Sequence, residues 1–202
     1  MKSRATGLVY IFTGDGKGKT SAALGVAMRA VGQGRRAAMV QWYKEKRWQI
    51  GEHNLPELLL STRKYKKVQE STKRGTGNFE IYPMGHGFYK LPTDHAGEEE
   101  HHQAAQKALH LSKRLLFLQP SSLGLRPLFL LVLDEALNAV NDKLINLIDL
   151  IDLISKRGQT HIILTGRNAP KKLIELADLV TEMKNVKHPF DSGKKAVLGL
   201  DY

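Results

Sequence analysis

The stretch Thr13-Gly-Asp-Gly-Lys-Gly-Lys-Thr20 decides the fold that we expect for this chain. It ends a short apolar run at residues 8–13, which is rich in β-forming residues and indicates a buried strand. The residues that follow it, 21–31, carry the alanines and the spaced apolar side chains of a helix. A strand, a glycine-rich turn, a Lys-Thr pair and a helix are together the parts of a phosphate-binding loop, or P-loop.

Each residue type in this stretch has a physical role in binding phosphate. Glycines allow successive backbone N–H groups to turn toward phosphate oxygens, beside the positive end of the helix. Lys19 offers a positive charge and Thr20 a hydroxyl for Mg²⁺. The usual pattern has glycine where this chain has Thr13, a small departure for which the other glycines can compensate. The alternative is a strand–helix turn that binds no anion. The residues expected to contact the nucleotide are Gly14, Asp15, Gly16, Lys17, Gly18, Lys19, Thr20 and Ser21.

An acidic pair further along the chain supports this interpretation. The apolar run at residues 130–133 ends in Asp134 and Glu135, as in a Walker B strand, whose carboxylates reach Mg²⁺ directly or through water. Many strands end in an acidic residue, so the pair alone is also compatible with a helix-capping aspartate beside a solvated glutamate. Together with the P-loop it predicts a Mg²⁺ site formed by Thr20, Asp134 and Glu135.

Strands and helices are expected to alternate along the chain. The five expected strands are residues 8–13, 37–42, 79–84, 128–133 and 161–165. The expected helices are residues 21–31, 96–118 and 170–177, with another that Asp142 caps and Gly158 ends. This order predicts an α/β fold: a single P-loop NTPase (RecA-like) domain over residues 1–202, with a mainly parallel sheet flanked by helices.

The composition restricts the class of protein. With 42% hydrophobic and 25% charged residues it resembles a soluble globular protein, and the absence of cysteine excludes disulfides and thiolate chemistry. No apolar run is long enough to span a membrane, so a cytoplasmic location is expected. The net charge of +11 makes nucleic acid or a polyphosphate a candidate partner. Much of that charge lies at residues 63–74, inside a basic excursion at about 55–78 that we expect to be a solvated loop.

Several segments, in their order along the chain, resemble the P-loop corrinoid adenosyltransferases, which act on cob(I)alamin or cob(I)yrinic acid a,c-diamide. Besides the P-loop, they are Val132-Leu-Asp-Glu135, Ile163-Leu-Thr-Gly-Arg-Asn168 and the tail from Val186-Lys-His-Pro-Phe-Asp to Gly199-Leu-Asp-Tyr202. Met84-Gly-His-Gly-Phe-Tyr-Lys-Leu-Pro-Thr-Asp94 is similar to the corrinoid-facing loop of that family. The resemblance covers nearly the whole chain, except residues 55–78 and 119–126.

The resemblance implies transfer of the 5′-deoxyadenosyl group of ATP to the cobalt of a reduced corrinoid, with release of triphosphate. Cob(I) is a strong nucleophile that attacks C5′ of ATP, so the step needs positioning and charge stabilisation rather than a general base. Lys19, Thr20 and Glu135 are then the expected catalytic residues. Thr20 and Glu135 would hold Mg²⁺, and Asp134 would hold a magnesium water. ATP is expected to lie reversed relative to ordinary P-loop enzymes.

The same resemblance implies further binding residues and partners. Phe88 and Tyr89 are expected at the corrinoid, where aromatic residues help to expel the lower axial ligand of cobalt, and Lys90 stands where some members have tryptophan. Arg167 is expected at the phosphates of ATP, with a surface ion pair as its alternative. Family members are commonly homodimers, and a flavoprotein electron donor is a plausible partner for the basic surface.

Other functions fit parts of the sequence. A RecA-like P-loop ATPase acting on nucleic acid would use Asp134 for Mg²⁺ and Glu135 for water, but the chain lacks a stacking stripe and an arginine finger. A small-molecule kinase lacks a candidate base. A nucleotide sensor or an adenosylcobalamin carrier would bind without turnover. His95, His101 and His102 suggest a metal site, but no cysteine or carboxylate framework completes one, so we expect them on a solvent-facing helix.

Overall fold

A central sheet of six parallel strands organises the protein. The computed structural model describes residues 6–61, 79–117 and 126–201, so the basic stretch at 63–74 and the loop at 119–125 lie outside the described residues. The strands are β1 (Val9–Thr13), β2 (Arg36–Gln41), β3 (Phe79–Pro83), β4 (Leu128–Asp134), β5 (His161–Thr165) and β6 (Leu179–Glu182). They lie in the order β3-β2-β4-β5-β1-β6, and all neighbouring pairs are parallel. The expected α/β class and mainly parallel sheet are confirmed.

The register brings polar residues together at the carboxyl edge of this sheet. Gln41 at the end of β2 pairs with Asp134 at the end of β4. Thr165 at the end of β5 pairs with Phe12 of β1, whose last residue is Thr13. Ligands of parallel α/β sheets bind outside these strand ends. The sheet therefore places the glycine-rich loop that follows β1 beside the acidic end of β4.

Helices cover both faces of the sheet. They are α1 (Lys19–Gly32), α2 (Leu55–Ser61), α3 (Glu98–Phe117), α4 (Ala136–Asn141), α5 (Leu147–Ser155) and α6 (Lys171–Leu176), with short 3-10 turns at Gly51–Asn54 and Pro189–Ser192. Along β4, Leu130 and Val132 pack with α1, whereas Leu131 and Leu133 pack on the opposite face with α3, α4 and α5. Successive strand side chains point to opposite faces. Since both faces are covered, β4 is a continuous apolar run rather than an alternating one.

The expected loop at about residues 55–78 is wrong for its first part, which is helix α2. Leu55 and Leu59 are partly buried against the core on the α1 face of the sheet. Pro56 lies in the first turn of α2, where the fixed backbone of proline favours a helix and its missing N–H has no helical partner to lose. Packing of these leucines against the core stabilises a helix here, although the residues on either side are polar.

The predicted helix between Asp142 and Gly158 is also wrong in its boundaries. Asp142 follows the end of α4, and α5 begins only at Leu147. Leu144 and Ile145 are buried in the connection between the two helices. The apolar spacing of a helix therefore extends through residues that form a turn. Strand β6 was not predicted at all. Its four residues are exposed along the edge of the sheet, and they show neither an apolar run nor a buried alternation.

Candidate active site

The glycine-rich loop between β1 and α1 is fixed against the chain that follows β6. Gly14 and Gly18 have φ of +102° and +107°, which favour glycine. A Cβ on Gly14 would lie 2.3 Å from Met183 O. The N–H of Gly16 donates to Met183 O at 2.7 Å, and the N–H of Met183 donates to Thr13 O at 2.7 Å. The loop therefore needs its glycines for both backbone conformation and close approach.

Thr13 replaces the glycine of the usual pattern without distorting the loop. It is the last residue of β1 and pairs with Glu182 of β6 in regular parallel register. Its Oγ1 accepts a hydrogen bond from the N–H of Ala169 at 3.2 Å. Position 13 therefore belongs to the strand, where a side chain fits, and the turn begins only at Gly14.

Lys19 folds back over the loop that precedes it. Its Nζ donates to Gly14 O at 2.7 Å and to Gly16 O at 2.8 Å. Burial and the charge of Arg167 lower the pKa of Lys19, while Glu135 and Asp15 act in the opposite direction. An anion in the loop would favour the charged ammonium, because an opposite charge nearby raises the pKa of a lysine. Lys19 is thus placed to exchange carbonyl partners for an anionic ligand.

Asp134 is held by the protein on both of its carboxylate oxygens. Thr20 Oγ1 and Thr165 Oγ1 donate to Oδ1 at 2.9 and 2.7 Å. Gln41 Nε2 lies 3.5 Å from Oδ2, and Lys44 Nζ lies 3.7 Å from the same oxygen. Asp134 is fully buried, and these four partners replace the water that its carboxylate oxygens lose on burial.

Lys44 extends this network, and sequence reasoning missed it. Its Nζ donates to Glu52 Oε1 at 2.5 Å, in the 3-10 turn before α2. Burial lowers the pKa of Lys44, but Asp134 and Glu52 outweigh burial and raise it above its usual value. Lys44 and Gln41 could have been found from their place at the carboxyl end of β2, beside the expected Walker B strand. Glu52 gave no such signal.

Glu135 is the acidic residue that the protein leaves free. Its φ of 63° is unusual for a residue other than glycine, and its N–H donates to Thr165 Oγ1 at 2.8 Å. Its Oε2 is buried and finds no hydrogen-bond partner within the described residues. Burial and the neighbouring charge of Asp134 raise the pKa of Glu135 to about 8. This orphaned carboxylate follows Asp134, which binds the hydroxyl of Thr20, and carboxylate and hydroxyl oxygens suit a hard divalent cation such as Mg²⁺.

A cavity of about 480 Å³ joins this acidic edge to aromatic side chains. Lys19, Glu135 and Arg167 line it together with Phe88 and Tyr89. The structure therefore brings Lys19 and Arg167, which were predicted for the nucleotide, into one cavity with Phe88 and Tyr89, which were predicted for the corrinoid. Tyr43, Asn138 and Asp142 also line the cavity, and sequence reasoning assigned them no role in binding.

Phe88 is held in place by two aromatic residues that follow β2. Its ring stacks on Tyr43, with centroids 6.0 Å apart, and lies 5.7 Å from the ring of Trp48. A Cβ on Gly85 would lie 2.2 Å from the backbone of Tyr43, so the two loops approach as closely as glycine allows. The hydroxyl of Tyr43 donates to Asp142 Oδ2 at 2.5 Å. Burial and this bond raise the pKa of Tyr43 above its usual range, so the phenol stays neutral.

Arg167 reaches the cavity from the loop after β5. Its N–H donates to Asn138 Oδ1 at 2.8 Å, and its carbonyl accepts from Asn141 Nδ2 at 2.8 Å. Gly166 has a φ of +140°, and a Cβ there would lie 2.7 Å from Leu137 Cβ. These contacts to α4 fix the backbone. Within the described residues the guanidinium forms no ion pair, which disfavours the surface ion pair that was its alternative.

The remaining loop residues lie at the rim of this site. Asp15, Lys17 and Ser21 are exposed. Lys17 forms an ion pair with Asp201 of the carboxyl-terminal tail. The described residues contain no cluster of three or more histidine, cysteine, aspartate or glutamate side chains that could hold a metal. A cation at the carboxyl edge would therefore take at most two protein carboxylates, with Thr20 and other ligands completing its shell.

The fold and the cavity define an α/β protein with a candidate binding site at the carboxyl ends of a parallel sheet. Residues 5–202 match the model of the family described as ATP:corrinoid adenosyltransferase BtuR/CobO/CobP. The chain belongs to this family. It is 34% identical over 197 residues to the corrinoid adenosyltransferase of Escherichia coli K12, covering 97% of this chain and 86% of that protein. The corrinoid adenosyltransferase CobA of Salmonella typhimurium is 34% identical, with coverage of 97% and 86%, and that of Sinorhizobium is 34% identical, with coverage of 100% and 83%.

Proposed function

We propose that this enzyme transfers the 5′-deoxyadenosyl group of ATP to the cobalt of a reduced corrinoid and releases triphosphate. The observation that carries the proposal is the shared cavity, which Lys19 and Glu135 line together with Phe88 and Tyr89. A phosphate ligand that carries a magnesium ion suits the first pair, because Lys19 attracts the phosphate and Glu135 the cation, and a large, flat, apolar macrocycle suits the second. Membership of the adenosyltransferase family supports the same pairing of substrates.

In this proposal residues 13–20 act as the P-loop of an NTPase-like domain. The glycines, which the close approach of Met183 requires, turn backbone N–H groups toward the phosphates of ATP, at the positive end of α1. Lys19 leaves the carbonyls of Gly14 and Gly16 and binds the phosphates instead. The proposed ATP contacts are Gly14, Asp15, Gly16, Lys17, Gly18, Lys19, Thr20, Ser21 and Arg167.

Magnesium fits the acidic edge of this site. Thr20 and Glu135 would hold it, because the hydroxyl of Thr20 keeps its lone pairs while it donates to Asp134, and Glu135 Oε2 lacks a partner among the described residues. Asp134 would orient Thr20 and a magnesium water. Bound Mg²⁺ would supply positive charge to the leaving triphosphate.

The transfer itself requires positioning and charge stabilisation. The electron pair of cob(I) forms the Co–C5′ bond as the C5′–O bond to triphosphate breaks, and no proton is transferred. Accordingly, Asp142 and Tyr43 satisfy each other in the cavity and need not act as base and acid. Lys19, with Arg167, stabilises the charge that develops on the triphosphate. The stacking of Phe88 on Tyr43 holds an aromatic ring in the cavity that the corrinoid would occupy.

An anaerobic assay tests this proposal directly. The protein is incubated with Mg-ATP, cob(II)alamin and a strong reductant, while the corrin spectrum is followed and the released phosphates are identified. We expect light-sensitive adenosylcobalamin and one free triphosphate per corrinoid. ADP and phosphate, with an unchanged corrin spectrum, would contradict the proposal.

The assembly, the electron donor and the location of the enzyme stay predictions of the resemblance. We include in the proposal a homodimer, a flavoprotein donor and a cytoplasmic location. None of the described helices has the length and apolar character that a membrane crossing demands. Light scattering would measure the oligomeric state. Reduction by an acidic flavoprotein at rising ionic strength would test docking on a basic surface, because such docking weakens with salt.

A further inference from the structure

Asp94 closes the turn that follows the aromatic residues of the cavity. Its carboxylate accepts hydrogen bonds from the N–H of Lys90 at 2.7 Å and from the N–H of Ala96 at 3.2 Å. His101 Nε2 lies 2.9 Å from Asp94 Oδ1, which makes Nε2 the protonated ring nitrogen. The bond from His101 lowers the pKa of Asp94 to about 2. One ionised carboxylate therefore fixes three points of the chain between Lys90 and α3.

The hydrogen bond to Lys90 holds a backbone conformation that lysine does not readily adopt. Lys90 has a φ of 59°, in the left-handed region that favours glycine. Such conformations persist where the surroundings enforce them, and they cluster at binding sites. Lys90 lies between Tyr89 and Leu91, both of which line the cavity. The backbone angles at Lys90 therefore determine how these two side chains face a bound corrinoid.

His101 joins this turn to α3 and also contacts Tyr89. It is 3% exposed, so the expectation of a solvent-facing histidine is wrong at this position. Its ring lies 5.0 Å from the ring of Tyr89 and 6.4 Å from that of His86. Contacts with His86, Tyr89 and Asp94 bury His101 against the loop at residues 84–94. One side chain thus contacts both the carboxylate that closes the turn and an aromatic ring of the cavity.

We propose that Asp94 and His101 are positioning residues for the corrinoid, because together they fix the turn that presents Tyr89 and Leu91 to it. The inference rests on the proposed function and adds the part of the chain that determines corrinoid binding. Neither Asp94 nor His101 is among the residues that line the cavity. The residues proposed for ATP lie on other elements. Replacing Asp94 or His101 should therefore weaken corrinoid binding and leave ATP binding unchanged.

Four variants distinguish the contributions of the pair. His101→Gln keeps an N–H donor for Asp94 and removes the ring beside Tyr89. His101→Phe keeps a ring and removes the donor. Asp94→Asn preserves the shape of the side chain and removes its charge. His110→Gln is the matched control, because it makes the same substitution at an exposed position of the same helix.

The experiment measures the Kd of cob(II)alamin for the ATP-loaded protein, the KM of each substrate and the thermal unfolding of each variant. We expect His101→Phe and Asp94→Asn to raise the Kd and KM of the corrinoid about ten-fold, the usual effect of losing one charge-assisted hydrogen bond. The KM of ATP should change less than about two-fold, within the scatter of unaffected sites. His101→Gln should lie between His101→Phe and the parent, and His110→Gln should match the parent.

Parallel rises in both KM values, or unchanged corrinoid binding in the variants, would overturn the inference. Should His101→Phe fail to fold, Asp94→Asn and His101→Gln, which preserve size and polarity, carry the same comparison. A parent protein that binds no cob(II)alamin would overturn the proposed function as well. A parent that adenosylates cob(II)alamin while the folded variants equal it would overturn the inference alone.

Discussion

Thr20 Oγ1 donates a 2.9 Å hydrogen bond to Asp134 Oδ1, and this bond joins the first turn of α1 to the end of β4. Because the proton of Thr20 points at Asp134, the lone pairs of its oxygen face elsewhere and can coordinate a cation. The bond thus leaves the hydroxyl oriented as the proposed magnesium site requires, while Asp134 keeps its partners. A hydroxyl at position 20 is therefore more important than the methyl group beside it.

Replacing Thr20 tests this orientation. Thr20→Val removes the hydroxyl at nearly constant volume, and we expect kcat/KM for Mg-ATP to fall at least about a hundred-fold, as when one transition-state contact is lost. Thr20→Ser keeps the hydroxyl and should stay within about five-fold of the parent, a loss of under about 1 kcal/mol. Initial rates over a Mg²⁺ titration measure both. Equal activity of the valine and serine variants would show that the hydroxyl is not used.

Lys19 and Lys17 form a natural comparison within one loop. Lys19 lines the cavity and is bonded to Gly14 and Gly16, whereas the side chain of Lys17 is 56% exposed and pairs with Asp201. We expect Lys19→Ala to lower kcat/KM for ATP about a hundred- to a thousand-fold, because a positioned positive charge is lost from the leaving triphosphate. Lys17→Ala should cost less than about ten-fold, because exposed pairs contribute little. The prediction fails if Lys17→Ala has the larger effect on ATP turnover.

Local sequence was enough to predict the elements whose residue types follow directly from their backbone conformation or burial. Backbone conformation and close approach require the glycines at 14, 16 and 18, and burial on both faces requires the apolar run of β4. Metal chemistry predicted a role for the acidic pair after β4. These constraints act on residues close together in the chain, so the sheet class could be predicted. The cavity residues also came together as expected, because parallel strands bring their carboxyl ends to one edge.

Elements defined by distant contacts could not be predicted in this way. Strand β6 is recognisable only by its pairing with β1, because its own residues are exposed. The role of Lys44 depends on Glu52 and Asp134, which approach it only when the sheet has formed. His101 was expected on a solvent-facing helix because no ligand framework completes a metal site there, but the loop that buries it is positioned by tertiary contacts. These features require the three-dimensional structure.

Replacing Phe88 should weaken the reaction with the corrinoid and leave the binding of ATP unchanged. It stacks on Tyr43 in the cavity and has no contact with the glycine-rich loop among those described. We expect Phe88→Ala to preserve the Kd of ATP and to lower turnover about ten-fold when cob(II)alamin is the starting state, since a stacked aromatic pair contributes about 0.5–1.5 kcal/mol beyond its buried area. Phe190→Ala, at a tail position that is 77% exposed, is the control. Equal turnover of Phe88→Ala and parent would refute this role.

Glu135 links the chemistry of the site to the stability of the metal-free protein. Its pKa is raised to about 8 in the fold, by burial and then by Asp134, against an ordinary value of 4.5. Between these values the unfolded chain releases the proton while the folded protein keeps it. Stability from this group is therefore complete below pH 4.5, falls as pH rises, and is lost above about pH 8.

Glu135→Gln should consequently stabilise the metal-free protein at high pH and inactivate the enzyme. We expect its Tm to exceed that of the parent by about 3–6 °C at pH 8.5, corresponding to about 1–2 kcal/mol, with a much smaller difference at pH 5. Comparing the two proteins at each pH cancels the contributions of histidines and other carboxylates that both contain. With Mg-ATP present the order should reverse, because the parent gains binding free energy through Glu135 and the variant loses this ligand. A Tm difference that is the same at both pH values would mean that Glu135 is ionised in the folded protein throughout this range. A variant that keeps full turnover would exclude Glu135 from the magnesium site.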